Sequence, residues 1–280
     1  MPRRLKLTFE YDGTDFYGWQ SQLASNATEP APVRTVQDTI EAALAALIGR
    51  EIRIQGASRT DEGVHAAGQV AHVDWPDDVS IEPERVARAL NSRLPGDVVC
   101  RRSEAVPPEF HAQRSATGKI YRYRILAPMD RSALYRRYHW FLRYPLDAEA
   151  MRAGAKHLIG THDCSAFVGS LDPTQNQRAE EGKPPLDTVR EIRRIDLREE
   201  ALEGTPPGVR EARVIEIDVE GGGFLYKMVR TIVGSLAEVG RGRYPPEWVG
   251  EVLASRDRKR AGPTAPPHGL CLMQVFYPTE

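Results

Sequence analysis

Between Arg59 and His65 the chain places a guanidinium, a hydroxyl (Thr60), two carboxylates (Asp61 and Glu62), a glycine (Gly63) and an imidazole. The surrounding stretch, GASRTDEGVHAAGQVAHVDW from Gly56 to Trp75, reads as a strand, a charged turn and a second strand. A carboxylate kept ionised by a nearby cation can act as a nucleophile or a base, and Asp61 just after Arg59 has the residue types required. The same spacing also fits a local pairing of Arg59 with an acid, or an Asx turn at Asp61. His65 and His72 have no further histidine or carboxylate at a ligand spacing, which argues against a metal enzyme. His72 falls inside a strand, where a structural histidine is expected.

Two other groups of residues have chemical potential. Tyr121 and Tyr123 fall on one face of a strand, with Arg122 and Arg124 on the other. Each tyrosine suits a core position with its hydroxyl bonded, or a base-stacking role. Arg230 sits in an otherwise apolar helix behind the run Gly221-Gly222-Gly223. Such an arginine faces solvent or, turned inward, needs a buried anion, for which Asp61 is a candidate. The glycine run matches neither a phosphate loop nor a dinucleotide turn, so no nucleotide cofactor is expected.

The elements that must position these residues follow from periodicity. Arg4 to Glu10 alternates as a strand, and Thr35 with Asp38 forms a capping pair before a helical stripe of Val36, Ile40, Ala43, Leu44, Leu47 and Ile48. Strands at 51–58 and 69–75 flank the charged loop, Pro83 opens a second helix, and 98–105 closes with a strand. The second half repeats the order: a strand at 119–126, a helix capped by Asp147 and ending at Gly160, and strands at 189–197 and 213–220 around a Pro/Gly-rich turn at 204–208. A helix over 224–239, a short extra helix near Trp248 and a strand over 270–277 complete it. The expected class is therefore α+β: two ferredoxin-like βαββαβ halves, sheets joined across a central basic cleft. Residues 1–106 form the half with the Asp61 loop and 107–280 the other, divided at Val106-Pro107-Pro108.

Composition narrows the function. The chain has 280 residues, 41% hydrophobic and 28% charged, as in an ordinary soluble globular protein. No apolar run is long enough to span a membrane, and the start MPRRLKLTFE lacks a signal-peptide core, so a cytoplasmic protein is expected. Three scattered cysteines suggest neither disulfides nor a thiolate zinc site. The net charge of −1 excludes a globally basic nucleic-acid binder, so RNA contact would require segregated charge. Residues 101–143 carry ten Lys/Arg against three Asp/Glu, with tyrosines and a tryptophan between them, while 180–218 carry seven against eleven. Guanidinium and ring together hold phosphates and stack bases, although a charge run also serves as a plain solvated face.

Six ordered segments carry a resemblance. YDGTDFYGWQ (Tyr11 to Gln20), RTVQDTIEAAL (Arg34 to Leu44), GASRTDEGVHAAGQVAHV (Gly56 to Val73), FHAQRSATGKIYRY (Phe110 to Tyr123), GGGFLYKMVRTIVGSL (Gly221 to Leu236) and AGPTAPPHGLCL (Ala261 to Leu272) resemble the TruA-type tRNA pseudouridine synthases along nearly the whole chain. The resemblance implies isomerisation of uridine to pseudouridine in the anticodon arm of tRNA, at nucleotides 38 to 40, without cofactor or metal, by a homodimer. It implies Asp61 as the nucleophile and Arg59 as the group that flips or holds the target nucleotide. Tyr121 then stacks on the base, with a role in proton transfer, and Arg230 pairs with the catalytic carboxylate. Addition of Asp61 to the ribose, addition to the uracil ring and removal of a ribose proton all remain open. Two departures stand out: Glu62 replaces a more usual alanine beside Asp61, and the loop from Ser21 to Val33 is long. The rival readings are a non-catalytic RNA-binding protein, and a hydrolase built on Asp61 and His65.

Overall fold

The computed structural model describes residues 3–22, 33–169, 187–202 and 211–278. The described elements run β1 (Arg3–Tyr11), α1 (Val36–Ile48), β2 (Gln55–Gly56), β3 (His65–Trp75), α2 (Pro83–Asn91), β4 (Val98–Val106), β5 (Gly118–Ala127) and β6 (Trp140–Phe141). Then follow α3 (Ala148–Lys156), β7 (Gly160–Asp163), β8 (Val189–Ala201), β9 (Arg213–Gly221), α4 (Met228–Gly240), α5 (Trp248–Ser255) and β10 (Leu270–Phe276). The class is α+β with mostly antiparallel strands. The chain gathers into two compact units, Met1–Lys119 with Cys271–Glu280, and Ile120–Leu270.

In the first unit the strands lie in the order β4-β1-β3, with β2 and β10 also paired to β3. The β1–β3, β1–β4 and β2–β3 ladders are antiparallel, and β10 joins β3 in parallel. Leu5, Leu7 and Phe9 alternate into a core with Ile40, Leu44, Trp75 and Leu90. The Thr35 hydroxyl caps α1 by accepting from the Asp38 N–H, and Gly49 ends the helix in the left-handed region at φ 77°. Pro83 stands in the first turn of α2.

Two local expectations in the first unit are corrected. The strand expected over 51–58 shrinks to Gln55–Gly56, because the Ile54 N–H donates to the buried Glu41 carboxylate (3.0 Å) rather than to a ladder. Glu41 also accepts from Gln37 Nε2 and pairs with Arg53, so three donors satisfy one acid on an otherwise apolar helix face. The next strand begins at His65 rather than 69, because β10 residues Cys271 and Leu272 pair with His65 and Ala66.

In the second unit β5, β9, β8 and β7 lie side by side, with β6 parallel to β5. The helix expected over 224–239 begins only at Met228, because Lys227 adopts a left-handed φ of 56° and β9 runs on to Gly221. Every residue of α4 is buried. Asp147 caps α3 through the Ala150 N–H, but the helix stops at Lys156; Gly160, at φ 121°, instead opens the edge strand β7. The expected turn at 204–208 and most of the long loop at 21–33 lie outside the described residues. The three cysteines are free and buried, and no described helix is long and apolar enough to cross a membrane.

Candidate active site

The loop from Ala57 to Val64 is held almost atom by atom by the segment Tyr11 to Trp19. Trp19 N–H donates to the Thr60 carbonyl (3.0 Å), Gly63 N–H to the Phe16 carbonyl (3.3 Å), and the Tyr11 hydroxyl meets Thr60 Oγ1 at 2.8 Å. The two glycines of that segment stand where any side chain would collide with the loop. A Cβ on Gly13 would lie 2.0 Å from the Val64 carbonyl oxygen, and one on Gly18, itself at φ 90°, 2.7 Å from that of Thr60. On the other side Gln69 Nε2 donates to the Ser58 carbonyl (2.7 Å) and Lys119 Nζ to that of Ala57 (2.8 Å).

Inside this frame Asp61, Glu62, Gly63 and Val64 make a turn closed by the Val64 N–H on the Asp61 carbonyl (3.1 Å), with Gly63 at φ 74°. Asp61 is half-buried, while Arg59 and Glu62 point into solvent. The extra charge of Glu62 is thus screened by water. His65 is buried, and its Nδ1 accepts from the Gly13 N–H (3.0 Å) and lies 3.2 Å from Asp12 Oδ1. His65 is therefore part of the frame, which removes the ground for the hydrolase reading. Among the described residues no three His, Cys, Asp or Glu side chains converge as a metal set.

Tyr121 and Arg230 belong to the second unit. Tyr121 is buried, with its ring edge-on to Phe224 at 5.4 Å. Arg230, also buried, is pinned by one edge: Nε donates to the Ala265 carbonyl (2.7 Å), and the Ala265 N–H returns a bond to the Arg230 carbonyl (3.1 Å). The segment after α5 can lie this close because α4 carries Gly234, where a Cβ would sit 1.7 Å from the Pro263 carbonyl oxygen. Tyr123 is a core tyrosine whose hydroxyl donates to the Pro266 carbonyl (2.8 Å). Burial pushes its phenol well up in pKa, opposed by the charge of Arg230.

The charge segregation counted along the chain is partly cancelled in space. Arg122 pairs with Asp218 (2.7 Å) and Glu216 (3.3 Å), Arg124 with Glu216 (2.9 Å), and Arg198 with both acids. Basic β5 thus lies beside acidic β9, and the arginines hold both carboxyl groups below their usual pKa against the opposing pull of desolvation. Arg101, Arg102 and Arg143 are paired as well, with Glu10, Glu104 and Asp130. Arg114, Arg131 and Arg136 stay exposed and keep the basic character of the stretch.

His72 is structural, as its place in a strand suggests. Buried, with Nδ1 accepting from the Ala112 N–H (3.2 Å) and its ring 4.8 Å from that of His111, it has its pKa pushed down to about 4, chiefly by desolvation and then by His111. Its folded pKa lies below the unfolded value, so the unfolded chain binds the proton first and stability falls as pH drops from about 6.5 towards 4. Urea unfolding at pH 7 and pH 5 is expected to show a loss on the order of 2 kcal/mol. That loss should shrink in His72→Gln, whose amide oxygen can still accept from Ala112; an equal loss in the variant would assign it elsewhere.

Sequence reasoning missed the residues that frame the loop. Gly13, Gly18 and Trp19 entered only as members of the segment YDGTDFYGWQ, and Lys119 as one more basic residue. The available signals were two glycines flanking aromatic residues, and Gln69 standing directly before the apolar pair Val70-Ala71 of a strand.

A family model described as tRNA pseudouridine synthase matches residues 7–113 and 155–278. A tRNA pseudouridine synthase A of Acetivibrio thermocellus is 42% identical over 275 residues, covering 98% of this chain and all of the relative. One from Myxococcus xanthus is 44% identical over 278 residues, covering 99% of this chain and 92% of the relative. A tRNA pseudouridine synthase A 2 of Clostridium perfringens is 41% identical over 275 residues, again 98% of this chain and all of the relative. Likeness of this extent, taking in both the Asp61 loop and the helix of Arg230, means that the chain belongs to the tRNA pseudouridine synthase family, isomerases that convert uridine to pseudouridine in tRNA.

Proposed function

We propose that this enzyme modifies uridines 38 to 40 in the anticodon arm of tRNA, in the cytoplasm and as a homodimer, with Asp61 as its nucleophile. The observation that carries the reading is the rigid frame around Asp61: a half-buried carboxylate on a loop whose carbonyls at Ala57, Ser58, Thr60 and Asp61 are all bonded. Such fixity suits a group that must meet one carbon of a substrate. The reaction neither gains nor loses atoms. The bond from ribose C1′ to uracil N1 breaks, the ring turns, C1′ bonds to C5, and the proton on C5 is replaced by one on N1, so no cofactor or metal is called for.

A uridine stacked in an RNA arm must be turned out first, at a cost of a few kcal/mol. Exposed Arg59 is suited to hold the displaced nucleotide, and stacking on Tyr121 offsets roughly 1–3 kcal/mol of that cost. Arg230, fixed through Ala265, is assigned the role of countercharge that keeps Asp61 ionised. We assign the two halves ferredoxin-like folds, supported by the β1-α1-β2-β3-α2-β4 succession and the β4-β1-β3-β2 order of the first, and a basic cleft for the tRNA. The test is to incubate unmodified tRNA with the protein and map pseudouridine chemically. Product at nucleotides 38 to 40, lost when those uridines are replaced by cytidine, is expected; product confined to another arm would overturn the assignment.

A further inference from the structure

The Asp61 loop is held from outside by the Trp19 backbone N–H, the Tyr11 hydroxyl, the Gln69 amide and Lys119, and of these Lys119 alone is a charged side chain. It opens β5 and its Nζ lies 2.8 Å from the Ala57 carbonyl, at the point where β2 ends and the loop begins. Desolvation alone pushes its pKa down to about 8. Removing an ammonium from water and freezing a long flexible side chain are both costly, and a packing role would be met by an apolar residue of the same length. What the ammonium adds is a charge-assisted bond, roughly twice as strong as a neutral one, to a single carbonyl.

We propose that Lys119 is a positioning residue of the reaction: its ammonium on the Ala57 carbonyl fixes the end of β2 and hence the path of the loop that presents Asp61. The inference rests on the reading of Asp61 as the reactive group. Gln69 supports the neighbouring Ser58 carbonyl, so Lys119 and Gln69 together hold two successive peptide groups just before Arg59. Rotation of the loop about its first two residues would break one or both of these bonds.

The test is steady-state kinetics of the full-length protein on unmodified tRNA. Lys119→Met keeps the apolar stem and removes the donor; kcat is expected to fall about 10- to 100-fold while KM for tRNA stays within about twofold. Lys119→Arg restores a cationic donor and is expected to recover most of kcat. Should Lys119→Met not fold, Lys119→Gln takes its place, since its shorter amide cannot reach Ala57 and the same loss confined to kcat is expected. Wild-type kcat in Lys119→Met, a loss confined to KM, or no recovery in Lys119→Arg overturns the proposal. Asp61→Asn is assayed alongside. Activity in that variant removes the reading on which the inference rests, whereas an inactive Asp61→Asn with a fully active Lys119→Met removes the inference alone.

Discussion

Asp61→Asn is expected to bind tRNA as the wild type does and to form pseudouridine on the order of 10⁴-fold more slowly or not at all, the scale on which enzymes lose activity when a reacting side chain is removed. The substitution replaces one oxygen by an amide nitrogen and leaves the turn intact, because the turn is closed by backbone atoms, the Val64 N–H on the Asp61 carbonyl. The clamp from Tyr11 to Trp19 is likewise made of backbone bonds and the Tyr11–Thr60 hydroxyl pair. The negative charge is lost, and a neutral amide can neither attack carbon nor take a proton. Affinity by filter binding and product by chemical mapping, measured on the same preparation, separate the two effects. Unchanged modification would show that the carboxylate is not the reacting group.

Gly13→Ala is expected to damage the site without touching any reacting group. The new Cβ would lie 2.0 Å from the Val64 carbonyl oxygen and 2.6 Å from its carbon, both backbone atoms with no rotamer to relieve the contact. The loop must move by about 1 Å or more, and the Val64 N–H is hydrogen-bonded to the Asp61 carbonyl. Overpacking of this kind costs about 1–3 kcal/mol of stability, and a displacement of about 1 Å at a reacting group costs on the order of 10²-fold in rate. Gly96→Ala, at a glycine with nothing within 4 Å of the added carbon, is the control and is expected to leave kcat unchanged. Equal activity in the two alanine variants would mean that the clamp does not set the position of Asp61.

What could be read in advance divides by the range of the interactions. The Thr35–Asp38 cap, the alternation of Leu5, Leu7 and Phe9 and the Asp147 cap are decided within a few residues of sequence, and the structure has all three. The two strand errors of the first unit each have a distant partner. β2 is short because Glu41 takes the Ile54 N–H, and β3 starts early because β10, two hundred residues on, pairs with His65. The sequence count of ten basic residues against three acids did not foresee that β9 would lay Glu216 and Asp218 against Arg122 and Arg124.

The candidate site divides in the same way. Residue types and spacing singled out Asp61 and Arg59, yet alone left an Asx turn as good a reading as a nucleophile, and the resemblance over six segments weighted the reading towards chemistry. The frame was invisible because its parts are ordinary: two glycines, a tryptophan N–H, a glutamine amide and a lysine. None of them is chemically reactive here, and each matters only for the carbonyl that it meets or clears.

The central claim is that a chain with Asp61 in this frame makes pseudouridine unaided. Its most direct test is a single-turnover reaction of the purified wild-type protein with unmodified tRNA in the presence of a chelator, followed by chemical mapping of pseudouridine at nucleotide resolution. Pseudouridine in the anticodon arm is predicted. Tight tRNA binding with every uridine left unconverted would contradict the account and favour a protein that binds RNA without acting on it.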